Sequence, residues 1–290
     1  MSYPSIYELR EILFDEQKCV EYLRGKHVFY EEWRCEKCDE QMKFYPTRFR
    51  FRCPVKRCSN EIPLRKGTFF DKDRLPIHKI LHLGYLWLKG DKNTSIKGAT
   101  KHSWLTISSF STYFRELVAD MVEIEDCKIG GPGVEVELDE TKVGKRKYHR
   151  GHRVDGVWIL GGVERTPERK VFTVPVPERS AERLAEIIQR HVLPGSIIYT
   201  DLWRGYSRLS NLNDYKHSTV NHSLYFKDPS TGVHTNTIEG TWAGLKLKIP
   251  IKNRTENFIE PHLWEFLWRR KNKEMLWTAF IDALAEIHYD

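Results

Sequence analysis

Val134-Glu135-Val136-Glu137-Leu138-Asp139-Glu140-Thr141 alternates apolar and acidic residues with a period of two, the pattern of a β-strand with one greasy face and one carboxylate face. Carboxylates are depleted in strands, so Glu135, Glu137 and Asp139 on one face mean either a water-facing antiparallel sheet or a working site. Two further acids favour the site. Asp201 ends a second apolar run, Ile197-Ile198-Tyr199-Thr200, and Glu239 stands in His234-Thr235-Asn236-Thr237-Ile238-Glu239-Gly240-Thr241-Trp242, with Lys246 beyond it. The spacing from Glu239 to Lys246 is about two helical turns, which puts both on one face roughly 10 Å apart. Two strand-end aspartates and a helical glutamate form the oxygen-donor set that two Mg²⁺ or Mn²⁺ ions require for phosphoryl transfer. Glu137 shares the face of Asp139 and competes with it; Asp139 is preferred because it lies nearer the strand end, where a mixed sheet opens its site.

The chain has 290 residues, enough for two or three domains with at least one sizeable core. Its hydrophobic content of 40% and charged content of 30% are those of a soluble globular protein, and a net charge of +7 favours a polyanionic partner. No long apolar run is present, and Met1 to Arg10 lacks an apolar signal core, so the expectation is an intracellular protein with no membrane span. Four cysteines are clustered, with Cys19 and Cys127 apart, which points to a metal in a reducing compartment rather than a disulfide framework.

Residues 1–32 carry a helical pattern, Ile6, Leu9 and Leu13 followed by Cys19, Val20 and Leu23, with Asp15-Glu16 starting a second helix. Residues 33–67 contain Cys35-x2-Cys38-x14-Cys53-x4-Cys58. Two such pairs close a tetrahedral four-thiolate site with no open position, hence one structural Zn²⁺. Between them Phe44, Tyr45, Phe49 and Phe51 alternate with Arg48, Arg50 and Arg52, which predicts the hairpin of a zinc ribbon. The arginine face either lies on phosphates or is solvated. Residues 68–128 read as three helices. One starts at Pro76 and stops at Gly90, a short one surrounds Ser95 to Ala99, and a third starts at Thr106. They suit a helix-turn-helix that lies in a major groove, or a generic helical spacer. Ile129-Gly130-Gly131-Pro132-Gly133 reads as a linker and the cleanest domain boundary.

Residues 133–255 follow an alternating pattern. After Asp139 comes a run with Lys142, Lys145, Arg146, Lys147, Arg150 and Arg153 and no acid, read as a contact to a DNA backbone. Strands over 157–163 and 170–174, a helix capped by Ser180, and the strand ending at Asp201 complete a β-β-β-α-β order. Trp203, Tyr206 and Leu209 read as core. Residues 256–290 form two aromatic-rich helices that serve either as core or as a dimer contact.

Glu137-Leu138-Asp139-Glu140, Tyr199-Thr200-Asp201-Leu202-Trp203-Arg204-Gly205-Tyr206 and the His234–Trp242 stretch, in this order and with the cysteine-rich segment before them, resemble the DDE transposases of the Merlin superfamily and their bacterial insertion-sequence relatives. The resemblance runs over roughly residues 33 to 272. It implies an α/β fold in which an RNase H-like core, a mixed five-stranded sheet with helices, is preceded by a zinc ribbon and a helix-turn-helix-like domain. It also implies cut-and-paste DNA transposition by a homodimer acting on terminal inverted repeats and target DNA, with no small-molecule substrate. Asp139, Asp201 and Glu239 would be the catalytic metal ligands, and Lys246 would grip a transposon-end phosphate. Asn236, one turn before Glu239, remains an alternative third ligand, as in some bacterial relatives. A Merlin-type source would be eukaryotic and its site of action the nucleus. Two other readings stand beside this one: a domesticated DNA-binding protein without catalysis, and an RNase H-like structure-selective nuclease.

Overall fold

The computed structural model describes residues 3–71, 73–144, 156–221 and 234–289. Lys145, Arg146, Lys147, Arg150 and Arg153 lie outside the described residues, so of the basic run after Asp139 only its first member, Lys142, has a described position. The chain divides into two compact units, Met1–Met121 with Asn272–Asp290, and Val122–Lys271.

The first unit starts with α1 (Arg10–Phe14) and α2 (Glu16–Arg24). The Asp15 carboxylate accepts the Lys18 backbone N–H at 2.9 Å and so caps α2, while Cys19, Val20 and Leu23 are buried. β1 (Lys43–Tyr45), β2 (Arg50–Arg52) and β3 (Glu61–Pro63) form an antiparallel sheet in that order. Phe44 lies opposite Phe51, their rings 5.1 Å apart. Phe49 is not a member of this alternation: at φ +50° it turns the hairpin. Three helices follow, α3 (Ile77–Leu88), α4 (Asn93–Thr100) and α5 (Trp104–Ala119). Lys101, at φ +60°, ends α4, and the Ser103 hydroxyl accepts the Thr106 N–H at 3.1 Å, so α5 starts two residues before Thr106.

The second unit contains the stretch Ile129 to Gly133, which lies inside it and not between domains. Ile129–Gly130 is β4, with Ile129 fully buried. Then come β5 (Glu135–Val143), β6 (Val157–Glu164), β7 (Val171–Pro175), α6 (Ala181–His191), β8 (Val192–Leu193), β9 (Ile197–Asp201) and β10 (Lys216–Val220). The unit closes with α7 (Asn236–Lys248) and α8 (Glu256–Lys271). β4 pairs in parallel with β8, and a Cβ on Gly130 would meet the Ser196 hydroxyl at 2.2 Å. Gly130 therefore allows close packing, while Gly131 and Gly133, with open space beside them, serve the chain through their positive φ of +126° and +76°. The main sheet has the order β10-β9-β5-β6-β7, with β5, β6 and β7 antiparallel and β5, β9 and β10 parallel. Val136, Leu138, Ile159, Val163 and Ile198 are fully buried in its core, and Ile238, Trp242 and Leu245 bring α7 onto it.

The last helix, α9 (Leu276–Glu286), belongs to the first unit, so the segment 256–290 is divided between the two. Phe280 is fully buried and stands edge-on to Phe114, ring centres 5.5 Å apart. Trp268, in the second unit, is 2% exposed. Phe280 thus serves the core of the first unit, and Trp264 and Phe266 pack against that of the second. No described helix is long and apolar enough to cross a membrane.

Candidate active site and metal centre

β5 and β9 run in parallel with Glu137 beside Tyr199. Asp139 and Asp201 each lie two residues further along, and side chains alternate with period two, so both aspartates reach the same face at the same level. That face carries α7. The helix is locked there by Glu137, which is fully buried. Its carboxylate accepts the backbone N–H of Thr237 at 2.8 Å and of Ile238 at 3.0 Å, and the Thr237 hydroxyl at 2.8 Å. Thr235, the residue at the N-cap of α7, contributes no side-chain cap, so a strand carboxylate performs the capping from outside the helix.

Arg165 completes the lock. Its Nε donates to Glu137 at 2.6 Å, one Nη to Glu135 at 3.0 Å and the other to the His234 carbonyl at 2.7 Å, while the guanidinium lies 4.5 Å over Tyr199. Glu135 and Glu137 are thereby spent on structure, and among the described residues Asp139 alone of the three strand carboxylates has no cation paired to it. A sequence reading that weighs Glu137 as a ligand misses this, because its partners lie about 30 and 100 residues away.

Asp139 accepts the indole N–H of Trp242 at 2.9 Å. The ring lies where Gly161, the cross-strand partner of Asp139, leaves space: a Cβ on Gly161 would meet Trp242 at 2.4 Å. Burial pushes the Asp139 carboxyl up to about 6, with the negative charges of Asp201 and Glu239 adding to the rise and the indole and the Glu140 backbone N–H opposing it. Lys246 is held below its ordinary value by burial, with the charge of Asp139 opposing that shift. Asp139, Asp201, Glu239 and Lys246 thus share one electrostatic neighbourhood. Asn236 stands in the first turn of α7, and its Oδ1 is buried without a hydrogen-bond partner among the described residues.

The opposite face of β5 bears a second cluster that the sequence pattern did not reveal. Glu140 is buried, and burial pushes its carboxyl up to about 7; the Tyr206 hydroxyl and Arg179 oppose the rise, and Asp139 and Asp201 add to it. The Tyr206 hydroxyl faces it without closing a hydrogen bond of ordinary geometry. Arg179 stands 3.7 Å from Glu140 and is sandwiched between Trp158, 3.5 Å away, and Trp203, 4.8 Å away. Lys142 lies over the same Trp158 ring at 5.7 Å. The Trp203 backbone N–H donates to Asp201 at 2.9 Å, which ties this cluster to the second aspartate.

In the first unit Cys35, Cys38, Cys53 and Cys58 have their sulfurs within 4.8 Å of one another, with Cys35 to Cys58 at 3.4 Å and Cys38 to Cys53 at 3.5 Å. These spacings are too long for disulfides and fit four sulfurs around one ion, so the group could hold a structural zinc. Hydrogen bonds led by the Lys37 backbone N–H pull the Cys35 thiol down to about 6, toward the thiolate a metal needs, and the Asn60 amide faces its sulfur at 3.6 Å. On the same ribbon Arg50 and Arg52 both reach Glu61, at 3.3 and 3.7 Å, so its arginine face is partly neutralised; Arg48 stays exposed. Among the described residues the cysteines form the only such tight group of ligating side chains, and the three acids around Asp139 are not drawn that close.

The sequence profile of the ISXO2-like transposase domain family matches residues 118–271, the whole second unit and the four residues before it. An uncharacterized transposase-like protein of Haemophilus influenzae is 34% identical over 107 residues, which are 37% of this chain and 85% of that protein. The family so matched is an insertion-sequence one and the relative is bacterial, so the matches bear out the insertion-sequence side of the resemblance and do not support the nuclear setting that its Merlin side implies.

Proposed function

Because the chain belongs to the ISXO2-like transposase domain family, we propose that it is a cut-and-paste DNA transposase whose catalytic ligands are Asp139, Asp201 and Glu239. The observation that carries this reading is the state of Asp139. It is level with Asp201 on adjacent parallel strands, raised to about 6 by burial first and then by Asp201 and Glu239, and among the described residues not paired with a cation as Glu135 and Glu137 are. A buried carboxylate crowded by two others is a site that gains from a divalent cation. Bound Mg²⁺ or Mn²⁺, two ions held by these acids, would activate the attacking oxygen and neutralise the leaving one.

The residues of the chain supply the rest. The Trp242 indole, with the Glu140 backbone N–H, fixes the Asp139 carboxylate in one orientation. Glu137 and Arg165 hold α7, and with it Glu239, against β5. Lys246 offers an ammonium to a scissile-strand phosphate. Glu239 is preferred to Asn236 as third ligand because it supplies charge and lies within electrostatic reach of Asp139. The sheet order, with β5 central between an antiparallel and a parallel pair, supports an RNase H-like core. The short turn between α4 and α5, with Trp104 and Leu105 exposed at the start of α5, supports a helix-turn-helix in the first unit. DNA is the partner that the family implies, in the form of terminal inverted repeats and target DNA, and a homodimer would synapse the two ends.

Incubation with Mg²⁺ or Mn²⁺ and DNA carrying the terminal repeats tests the reading. Cleavage at the repeat ends is expected, and Asp139→Ala, Asp201→Ala and Glu239→Ala should each lower it by about 10³-fold or more, with repeat binding retained. Binding without cleavage would favour a domesticated DNA-binding protein, and cutting independent of the repeats a structure-selective nuclease. If Asn236→Ala stops cutting and Glu239→Ala does not, the third ligand is Asn236.

A further inference from the structure

A cavity of about 380 Å³ in the second unit, in the groove between α7 and α8, is lined by Arg169, Asn236, Thr237, Gly240, Thr241 and Arg270. Among the described residues no carboxylate lines it. Arg270 is half-buried, its Nε donates to the Arg169 carbonyl at 2.8 Å, and burial and the charge of Arg169 both push its pKa down. Arg165, Arg179 and Arg269, also half-buried, each face a glutamate. Among the described residues neither Arg169 nor Arg270 has a carboxylate partner. Two guanidiniums that line one cavity, one of them half out of water, repel each other and lack a counter-charge among the described residues, and an anion entering the cavity relieves both costs. Asn236 adds to this: turning its amide exchanges a buried, unpartnered oxygen for an N–H donor.

The place of the cavity identifies the anion. Helical geometry puts Thr237 and Thr241 on one flank of α7 and Glu239 and Lys246 on the other, on the order of 10 Å apart across the helix. Between the flanks the surface is smooth, for a Cβ on Gly240 or Gly244 would meet nothing within 4 Å. We infer that the Arg169–Arg270 pocket binds a backbone phosphate of the DNA strand that crosses α7 from the acidic site. This rests on the reading of the chain as a DNA-processing enzyme, but it assigns the arginines a positioning role that is separate from the chemistry at Asp139.

The test is binding of a labelled repeat duplex to the full chain without divalent metal, by fluorescence anisotropy, from about 50 to about 300 mM salt. Arg169→Gln with Arg270→Gln should make the slope of log K against log salt shallower by about 1 and weaken binding about 5- to 50-fold at the low end. Neutralising the DNA phosphates one at a time with methylphosphonates should reveal a position that matters for the native chain and not for the variant. Arg169 is exposed, so Arg169→Gln alone keeps the fold and carries the test if the double variant does not fold. An unchanged salt slope overturns the proposal. So does a pocket that takes inorganic phosphate, seen as a raised melting temperature lost in the variant, while DNA binding stays the same. The two readings fail separately: if Asp139→Ala still cuts but the arginine variant loses its phosphate, the pocket stands and the catalytic assignment falls.

Discussion

In the first unit four thiols from two short knuckles lie within 4.8 Å of one another, whereas in the second the carboxylates of Asp139, Asp201 and Glu239 come from two strands and a helix and are not gathered as tightly. The difference is one of charge and of purpose. Protonated thiols are neutral and pack without repulsion, so local turns can close a complete ligand set before any ion arrives. Carboxylates repel, and the rise of Asp139 to about 6 is partly the cost of bringing three near each other. A structural centre is closed on all sides; a catalytic one keeps positions open for substrate, and the fold must then hold the ligands apart as well as together.

The strongest break of this comparison would come from taking the metal out of the ribbon. Protein isolated without chelator should contain one zinc per chain by elemental analysis. Removing it, or making Cys35→Ser, should forfeit on the order of 10 kcal/mol of metal-coupled folding energy in residues 33–67. Hydrogen exchange should then show protection lost across β1, β2 and β3 and kept across β5, β6 and β9. A ribbon that stays protected without zinc would mean that its small aromatic core suffices.

A smaller but still large effect belongs to Glu137. Glu137→Ala leaves Arg165, partly buried, with only Glu135 as a carboxylate partner and the first turn of α7 uncapped, and should cost about 2–4 kcal/mol in denaturant unfolding. Cleavage should fall as well, although Glu137 holds no ion, and excess Mg²⁺ should not restore it. Recovery at high Mg²⁺ would place Glu137 among the ligands and blur the distinction between lock and site.

The smallest effect has the opposite sign. The Asp139 carboxyl titrates at about 6 in the folded chain against an ordinary 3.8, so the folded state holds the proton more tightly than the unfolded one. Its contribution to stability is therefore fully present below about pH 4 and is lost as pH rises through about 6. Asp139→Asn keeps an acceptor for Trp242 and removes the charge. Without added Mg²⁺ it should raise stability by roughly 1–3 kcal/mol at pH 8 and by almost nothing at pH 4, while ending cleavage. Equal unfolding midpoints for the native chain and the variant at pH 8 would show that the acids are not in conflict.

The ribbon, the alternation in β5 and the three-helix segment were legible because each is written in local spacing: a cysteine pair, a period of two, a cap such as Asp15. Local spacing misled at Ile129 to Gly133, which reads as a linker between domains but lies inside the second unit, where Gly130 lets β4 pack beside Ser196. It misled again at residues 256–290, read as one segment, whose two helices serve different units. Trp242 was visible one turn beyond Glu239, but its hydrogen bond to Asp139 depends on the space over Gly161, in another strand.

From the sequence alone came the donor types, the order of the acids and the expectation of a zinc ribbon, since residue chemistry and short-range periodicity belong to the chain before it folds. Only the tertiary structure decided which acids are free. The pattern preferred Asp139 only as the acid nearer a strand end, but β5 runs on to Val143 and Asp139 is at its middle; what separates it from Glu135 and Glu137 is Arg165 and the backbone N–H groups of α7, brought to β5 from distant parts of the chain. A charge becomes a ligand or a lock according to the partners that folding brings to it.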